Sequence, residues 1–308
     1  MALFWNSIRN KMLIQQYFID WMVEFQSHGS ATVYVGGLQD GKCVVITDSN
    51  VTSVSELTSK HEEADDRIMM HISHACMDNI KSVLVYSADT DVLISLIYHY
   101  QINFTLEELY VMLGGTRSTK KTVPLHKLVK NLNPILIDCL PAVHALTGCD
   151  TTSRVGPKTA VLTKDVDLEL IQLFGKGPQV TEEDIKNAEV FLLQILGQKE
   201  FKSFNEYRVH QHFDAQKNLT LDKIVCCSST IALHVKRAYV QTNLWVNAEK
   251  KCFRNLTHLN LDTSTQKMGF TGRSWQQSQY VPMVSPIPAH AKRASRRPAN
   301  AKWLDSNV

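Results

Sequence analysis

Along Ser7–Phe25 the apolar residues Ile8, Met12, Tyr17, Ile19, Trp21 and Met22 return at helical intervals, which predicts an amphipathic helix. Thr32–Gly36 and Cys43–Thr47 are β-rich runs on either side of the turn signal Asp40-Gly41, which predicts a hairpin. Ser53–Lys60 is polar and reads as a linker. Then the pattern changes. His61–Cys76 has helical spacing, and Ser82–Tyr86 is the short continuous apolar run of a buried parallel strand. Val92–Tyr100 suits a packed helix, and Leu109–Leu113 is a second buried strand closed by Gly114-Gly115. Lys120–Asn131 and Pro134–Leu146 read as helices. This helix–strand alternation argues for an α/β fold with a mostly parallel sheet covered on both faces. From Gly156 to about Val246 the pattern is helical almost throughout, most clearly in Glu182–Leu196 and Thr230–Trp245. From Thr263 the chain is Ser/Gln/Pro-rich, then Pro/Arg/Ala-rich, and is expected to be disordered.

At 308 residues the chain can hold one large domain or a core with appendages, and 44% hydrophobic with 20% charged residues suits a soluble globular protein. No apolar run reaches the roughly 18 residues of a membrane span, so no membrane partner is expected. Arg9 and Lys11 follow the apolar Met1–Trp5 with no small-residue cleavage site, which argues against a secretory signal. Seven cysteines without a C-x-x-C pair point to free thiols in a reducing compartment, and structural zinc is not expected despite twelve histidines. The expected location is intracellular, the nucleus ahead of the cytoplasm. Of the 33 basic and 30 acidic residues, seven basic and one acidic fall from Thr263 onward, giving a tail of +6 and a body of −3.

Three acidic spots carry the candidate chemistry. Glu62, Glu63, Asp65 and Asp66 open the helix at His61, where carboxylates are also favoured simply by the helix dipole. Asp89 and Asp91 follow the strand Ser82–Tyr86. Asp89 could merely cap the next helix, but ligands in open α/β sheets bind beyond the carboxyl ends of strands. Asp150 follows Gly148 at a helix end and could likewise be a cap. Together they form the hard-oxygen donor set that Mg²⁺ or Mn²⁺ requires. Two such ions about 4 Å apart stabilise the attacking and leaving oxygens of phosphodiester displacement. His71 and His74 read as helix-surface residues, and His144 tempts as a general base that a two-ion site does not need.

Glu63-Ala64-Asp65, Asp89-Thr90-Asp91, Leu146–Asp150 and Arg154–Ala160 resemble, in order, motifs of the flap-endonuclease branch of the PIN-like nucleases. The wording is closer still to poorly characterised, mobile-element-associated animal PIN-like proteins, and Arg237-Ala238-Tyr239 with Trp245 resembles their C-terminal segment. The resemblance covers roughly Asn10 to Trp245. It implies a three-layer α/β/α sandwich with a mostly parallel central sheet over residues 1–160. A helical extension over 161–262 and the disordered basic tail, 263–308, follow. It implies a metal-dependent nuclease acting on DNA or RNA, with Glu63, Asp65, Asp89, Asp91 and Asp150 as ligands for two Mg²⁺ or Mn²⁺ ions. Glu62 and Asp66 support them or shift the register by one. Arg154, Gly156 and Lys158 would contact nucleic-acid phosphate, although Arg154 stands where the family has a glycine. Tyr86, Tyr239 and Trp245 could stack on bases, with core packing the expectation for Tyr86.

One departure lowers the expected activity. The family opens with a strand ending in an Asp, whereas here Asp20 lies inside the first predicted helix. Weak metal binding and poor cleavage, with Mn²⁺ preferred, are therefore expected. The rival readings are an inactive nucleic-acid- or protein-binding descendant and a phosphatase-like hydrolase. The latter leaves Glu63 and Asp150 unexplained.

Overall fold

The computed structural model describes residues 7–26, 31–47, 50–61, 64–114, 121–214 and 224–251. The chain divides into two compact units, Met1–Thr257 and His258–Val308. The second unit, and with it the basic tail, lies outside the described residues. Helix α1 (Ile8–Gln26) buries Ile19 but leaves Leu13, Tyr17, Phe18 and Trp21 exposed. The predicted hairpin is part of an antiparallel meander, β1 (Val33–Val35), β2 (Val44–Thr47) and β3 (Asn50–Ser53), with Tyr34 opposite Val45 and Val45 opposite Thr52. All four β3 positions are exposed, so no hydrophobic alternation marked that strand.

Next come α2 (Ala64–Met77), β4 (Ser82–Tyr86), α3 (Thr90–Ile102), β5 (Glu108–Leu113), β6 (Lys121–Pro124), α4 (Leu125–Asn131) and α5 (Pro134–Thr147). The helix expected from Lys120 is a strand up to Pro124, because the β-branched pair Thr122-Val123 joins the ladder against Val111 and Met112. The second sheet runs β4-β5-β6, parallel in its first pair and antiparallel in its second.

This corrects the expected fold class. A three-layer sandwich around a mostly parallel central sheet is not what forms. The described strands make two three-stranded sheets, and β4–β5 is their one parallel pair. Helices bury most of the apolar surface instead. After α6 (Ala160–Thr163) come α7 (Glu182–Leu196), α8 (Phe204–Asp214) and α9 (Ser228–Val246). Helix α5 is apolar nearly all round, as a helix enclosed by other helices must be. It packs on α3, α7 and α9, and these join β5 in one hydrophobic core.

Helix α7 begins in a capping box between Thr181 and Asp184 and stops at Gly197 in the left-handed region. The stretch before it, expected to be helical, is mostly turns around a short 3-10 segment, Glu169–Ile171. Gly175 (φ 77°) lies so close to α9 that a Cβ would sit 2.4 Å from Thr242 Cγ2. Asn243 Nδ2 donates to the carbonyls of Gly175 (2.7 Å) and Gly177 (3.2 Å). No helix among the described residues is long and apolar enough to cross a membrane.

Candidate metal centre

The carboxyl end of β4 leads through Ser87 into α3. Asp89 caps that helix: its Oδ1 accepts from the Asp91 amide at 2.9 Å, and its own amide donates to Ser87 Oγ at 3.1 Å. Gly114 lets the end of β5 pass this turn, since a Cβ there would stand 2.9 Å from the Ala88 Cβ. Asp89 is exposed and Asp91, within the first turn, is half-buried.

Asp65 enters from the first turn of α2. Burial raises its carboxyl pKa, and the negative fields of Asp89, Asp66, Asp91 and Asp150 raise it further. Asp65 on α2 thus feels the fields of Asp89, Asp91 and Asp150, which come from two other places in the chain. Asp66 turns inward, buried, with its Oδ2 3.7 Å from His61 Nδ1. Glu62 and Glu63 lie outside the described residues. Asp20 is exposed on α1, accepting from Gln16 Nε2 at 2.9 Å.

Asp150 sits on a loop built by the end of α5. Gly148 (φ 117°) breaks the helix, and a Cβ there would lie 2.6 Å from Arg154 Cα. Thr152 Oγ1 donates to the Ala145 carbonyl at 2.7 Å and accepts from the Cys149 amide at 3.0 Å. Thr151 Oγ1 donates to Gln241 Oε1 on α9 at 2.8 Å, and buried His234 Nε2 donates to the Leu146 carbonyl at 2.8 Å. These bonds tie the Cys149 amide and carbonyls of the last turn of α5, and Asp150 stands exposed beside them.

The feature that sequence reasoning left aside is His144. It is buried on α5, and its Nε2 donates to Asp91 Oδ1 at 2.6 Å. Its Nδ1 accepts from Lys158 Nζ at 3.1 Å, and its ring lies 5.3 Å from that of Trp245. Burial lowers the Lys158 pKa, opposed by the fields of Asp91, Cys149 and Asp150. A polar residue in a helix buried all round must find partners, and that was the available signal for His144. Lys158, expected to meet phosphate, is half-buried against this histidine. Arg154 is exposed, while Gly156 (φ 73°) packs under α7, where a Cβ would meet Ile195 Cγ2 at 2.8 Å.

The aromatic side chains fall out differently from expectation. Tyr86 is 60% exposed at the end of β4, whereas Tyr239 and Trp245 are buried in the core. Gly36 on the segment after β1 lies over His71, and His74 stacks edge-on against Tyr34 at 5.5 Å. Both histidines are half-buried on α2, as partly exposed helix positions are.

No model of a protein family, no curated protein and no solved structure matches this sequence. The functional reading therefore stands on the residues themselves. Among the described residues no three His, Cys, Asp or Glu side chains are grouped closely enough to hold a metal ion directly as they stand. The donor set nevertheless suits Mg²⁺, which keeps several waters and is commonly bound through one or two carboxylates.

Proposed function

We propose that the chain binds Mg²⁺ or Mn²⁺ through Asp65, Asp89, Asp91 and Asp150, with Glu63 adjoining in sequence, and hydrolyses phosphodiester bonds of DNA or RNA. One observation carries the reading. A half-buried aspartate, Asp65, has its carboxyl pushed up by burial and by the fields of Asp89, Asp66, Asp91 and Asp150, of which Asp89 and Asp91 stand at the turn after β4. Like charges gathered this way destabilise one another unless a cation joins them. The bound ions would neutralise the developing charge on the phosphoryl oxygens and lower the pKa of attacking water. The chain's own contribution is to hold the aspartates, and Asp89 and Asp91 each already engage one oxygen in a protein hydrogen bond. The loose grouping of the carboxylates favours weak ion binding, slow cleavage and a preference for Mn²⁺. The nucleic-acid substrate class rests on the motif resemblance.

A second reading, a nucleic-acid-binding descendant that no longer cleaves, is favoured by the spread of these carboxylates, since no three such side chains among the described residues are grouped closely enough to hold an ion directly. Cleavage assays on single-stranded, duplex and flapped DNA and on RNA, with Mg²⁺ or Mn²⁺, separate the two. Slow Mn²⁺-stimulated cleavage that EDTA, Asp89→Asn or Asp150→Asn abolishes is expected. Metal-dependent cleavage that survives both substitutions would overturn the site. Binding without any cleavage would select the second reading.

A further inference from the structure

We infer that His144 and Lys158 are positioning residues for the proposed cation site, acting through Asp91 without touching the cation or the substrate. The inference rests on the cation reading above for its consequence, and on geometry for the device itself. Three polar groups stand in line: Lys158 Nζ donates to His144 Nδ1 at 3.1 Å, and His144 Nε2 donates to Asp91 Oδ1 at 2.6 Å.

This order fixes the chemistry of the imidazole. An ammonium has donors only, so His144 Nδ1 must be the bare nitrogen and the ring proton must reside on Nε2. The carboxylate of Asp91 is then held at one oxygen by a charge-assisted acceptor bond, while its other oxygen is left for a cation. His144 is buried, and its ring lies 5.3 Å from the Trp245 ring at a tilt of 38°, so the imidazole plane is set by packing from α9 as well as by its two polar partners. Lys158 reaches this point because the loop from Gly148 to Gly156 folds back on α5, with the Val155 amide donating to the Thr147 carbonyl at 3.0 Å. The lysine therefore serves the aspartate as a built-in counter-charge at one remove. Partners that orient a metal-binding carboxylate in this way change metal affinity by roughly 10–100-fold when removed.

Two measurements on the full chain test the device. In the first, nitrogen NMR of the metal-free protein reads the His144 tautomer. A fixed Nε2–H form, whose Nδ1 resonance shifts in Lys158→Met, is expected. An Nδ1–H form or a tautomer mixture would overturn the assignment. In the second, Mn²⁺ binding is titrated by loss of the free-ion paramagnetic signal. His144→Leu should weaken binding at least tenfold. His144→Gln, whose amide can replace the Nε2–H donor, should restore most of it. Lys158→Met should weaken binding less, and should add nothing in the His144→Leu background. Equal Mn²⁺ affinity in His144→Leu and the unmodified chain would overturn the positioning role. No Mn²⁺ binding by the unmodified chain, with the Nε2–H tautomer in place, would sink the cation reading and the positioning role with it, leaving the tautomer assignment standing.

Discussion

His144 and Asp91, 53 residues apart, meet at 2.6 Å and tie the buried helix α5 to the first turn of α3. Removing the carboxylate leaves a buried imidazole N–H without its acceptor. Such a loss costs about 1–3 kcal/mol, against about 1 kcal/mol for removing a helix N-cap. Asp91→Leu should therefore destabilise the metal-free chain more than Asp89→Ala. Urea unfolding of both variants checks this, and the reverse order would contradict the buried hydrogen bond.

Asp65 should behave in the opposite sense. Its carboxyl pKa is raised by burial first and by Asp89, Asp66, Asp91 and Asp150 after. Below the ordinary aspartate range both folded and unfolded chains carry the proton, and there is no penalty. As pH rises through that range and past the raised value, the folded chain is penalised for ionising Asp65. Asp65→Asn is expected to raise the melting temperature of the metal-free chain at neutral pH, with the gain fading on acidification. A loss of stability at neutral pH would show that the carboxylates do not repel one another as described.

Acid should weaken the fold through its buried and half-buried histidines. Burial lowers the pKa values of His71, His99 and His234; for His99 the field of Glu249 and the hydrogen bond to the Trp245 carbonyl oppose it. The unfolded chain takes up these protons near the ordinary histidine value while the folded chain resists. Stability is therefore lost as pH falls from that value toward the depressed ones. The urea midpoint, followed from about pH 7.5 to about pH 5.5 across the ordinary histidine range, should fall. The Asp65→Asn background removes the opposing carboxylate effect. A midpoint that holds or climbs toward acid would contradict the burial of these rings.

The turn after α5 gives a sharper test of the site's scaffold. Gly148 has φ 117°, and a Cβ would lie 2.6 Å from Arg154 Cα. Gly148→Ala should cost at least the roughly 1–3 kcal/mol of a strained backbone position, and should displace Asp150 as well. Reduced thermal stability together with weakened Mn²⁺ binding is expected. Unchanged values of both would mean the loop adapts without moving Asp150.

Much of this was legible in the residues. Ser82–Tyr86 and Leu109–Leu113 announced themselves as strands, and they pair in parallel, but β4 is not the buried strand expected: Leu84 and Tyr86 are exposed and Val85 is its one buried position. Pro134–Leu146 announced a helix, with Gly148 marking its end. The sheet's composition was not legible, because β6 is four residues long and runs straight into α4, so its Thr122-Val123 pair carried no separate pattern. The helical core was under-read for a related reason. Apolar periodicity shows which face of α7 or α9 is buried, but whether it lies against a sheet or another helix is decided by long-range packing. At the site, acidic residues at element ends could be picked out singly. The line from Lys158 through His144 to Asp91 joins a loop, a helix and a helix start, and no spacing in the chain encodes it.

The position of the bound cation is the most direct point of decision. Substoichiometric Mn²⁺ added to the isotope-labelled chain broadens the amide signals nearest the ion. Broadening should appear first at Asp65, Asp89, Asp91 and Asp150, spare the β2–β3 pair, and vanish in an Asp89→Asn, Asp150→Asn double variant. Broadening centred elsewhere, or undiminished in that variant, would contradict a cation site at the end of β4.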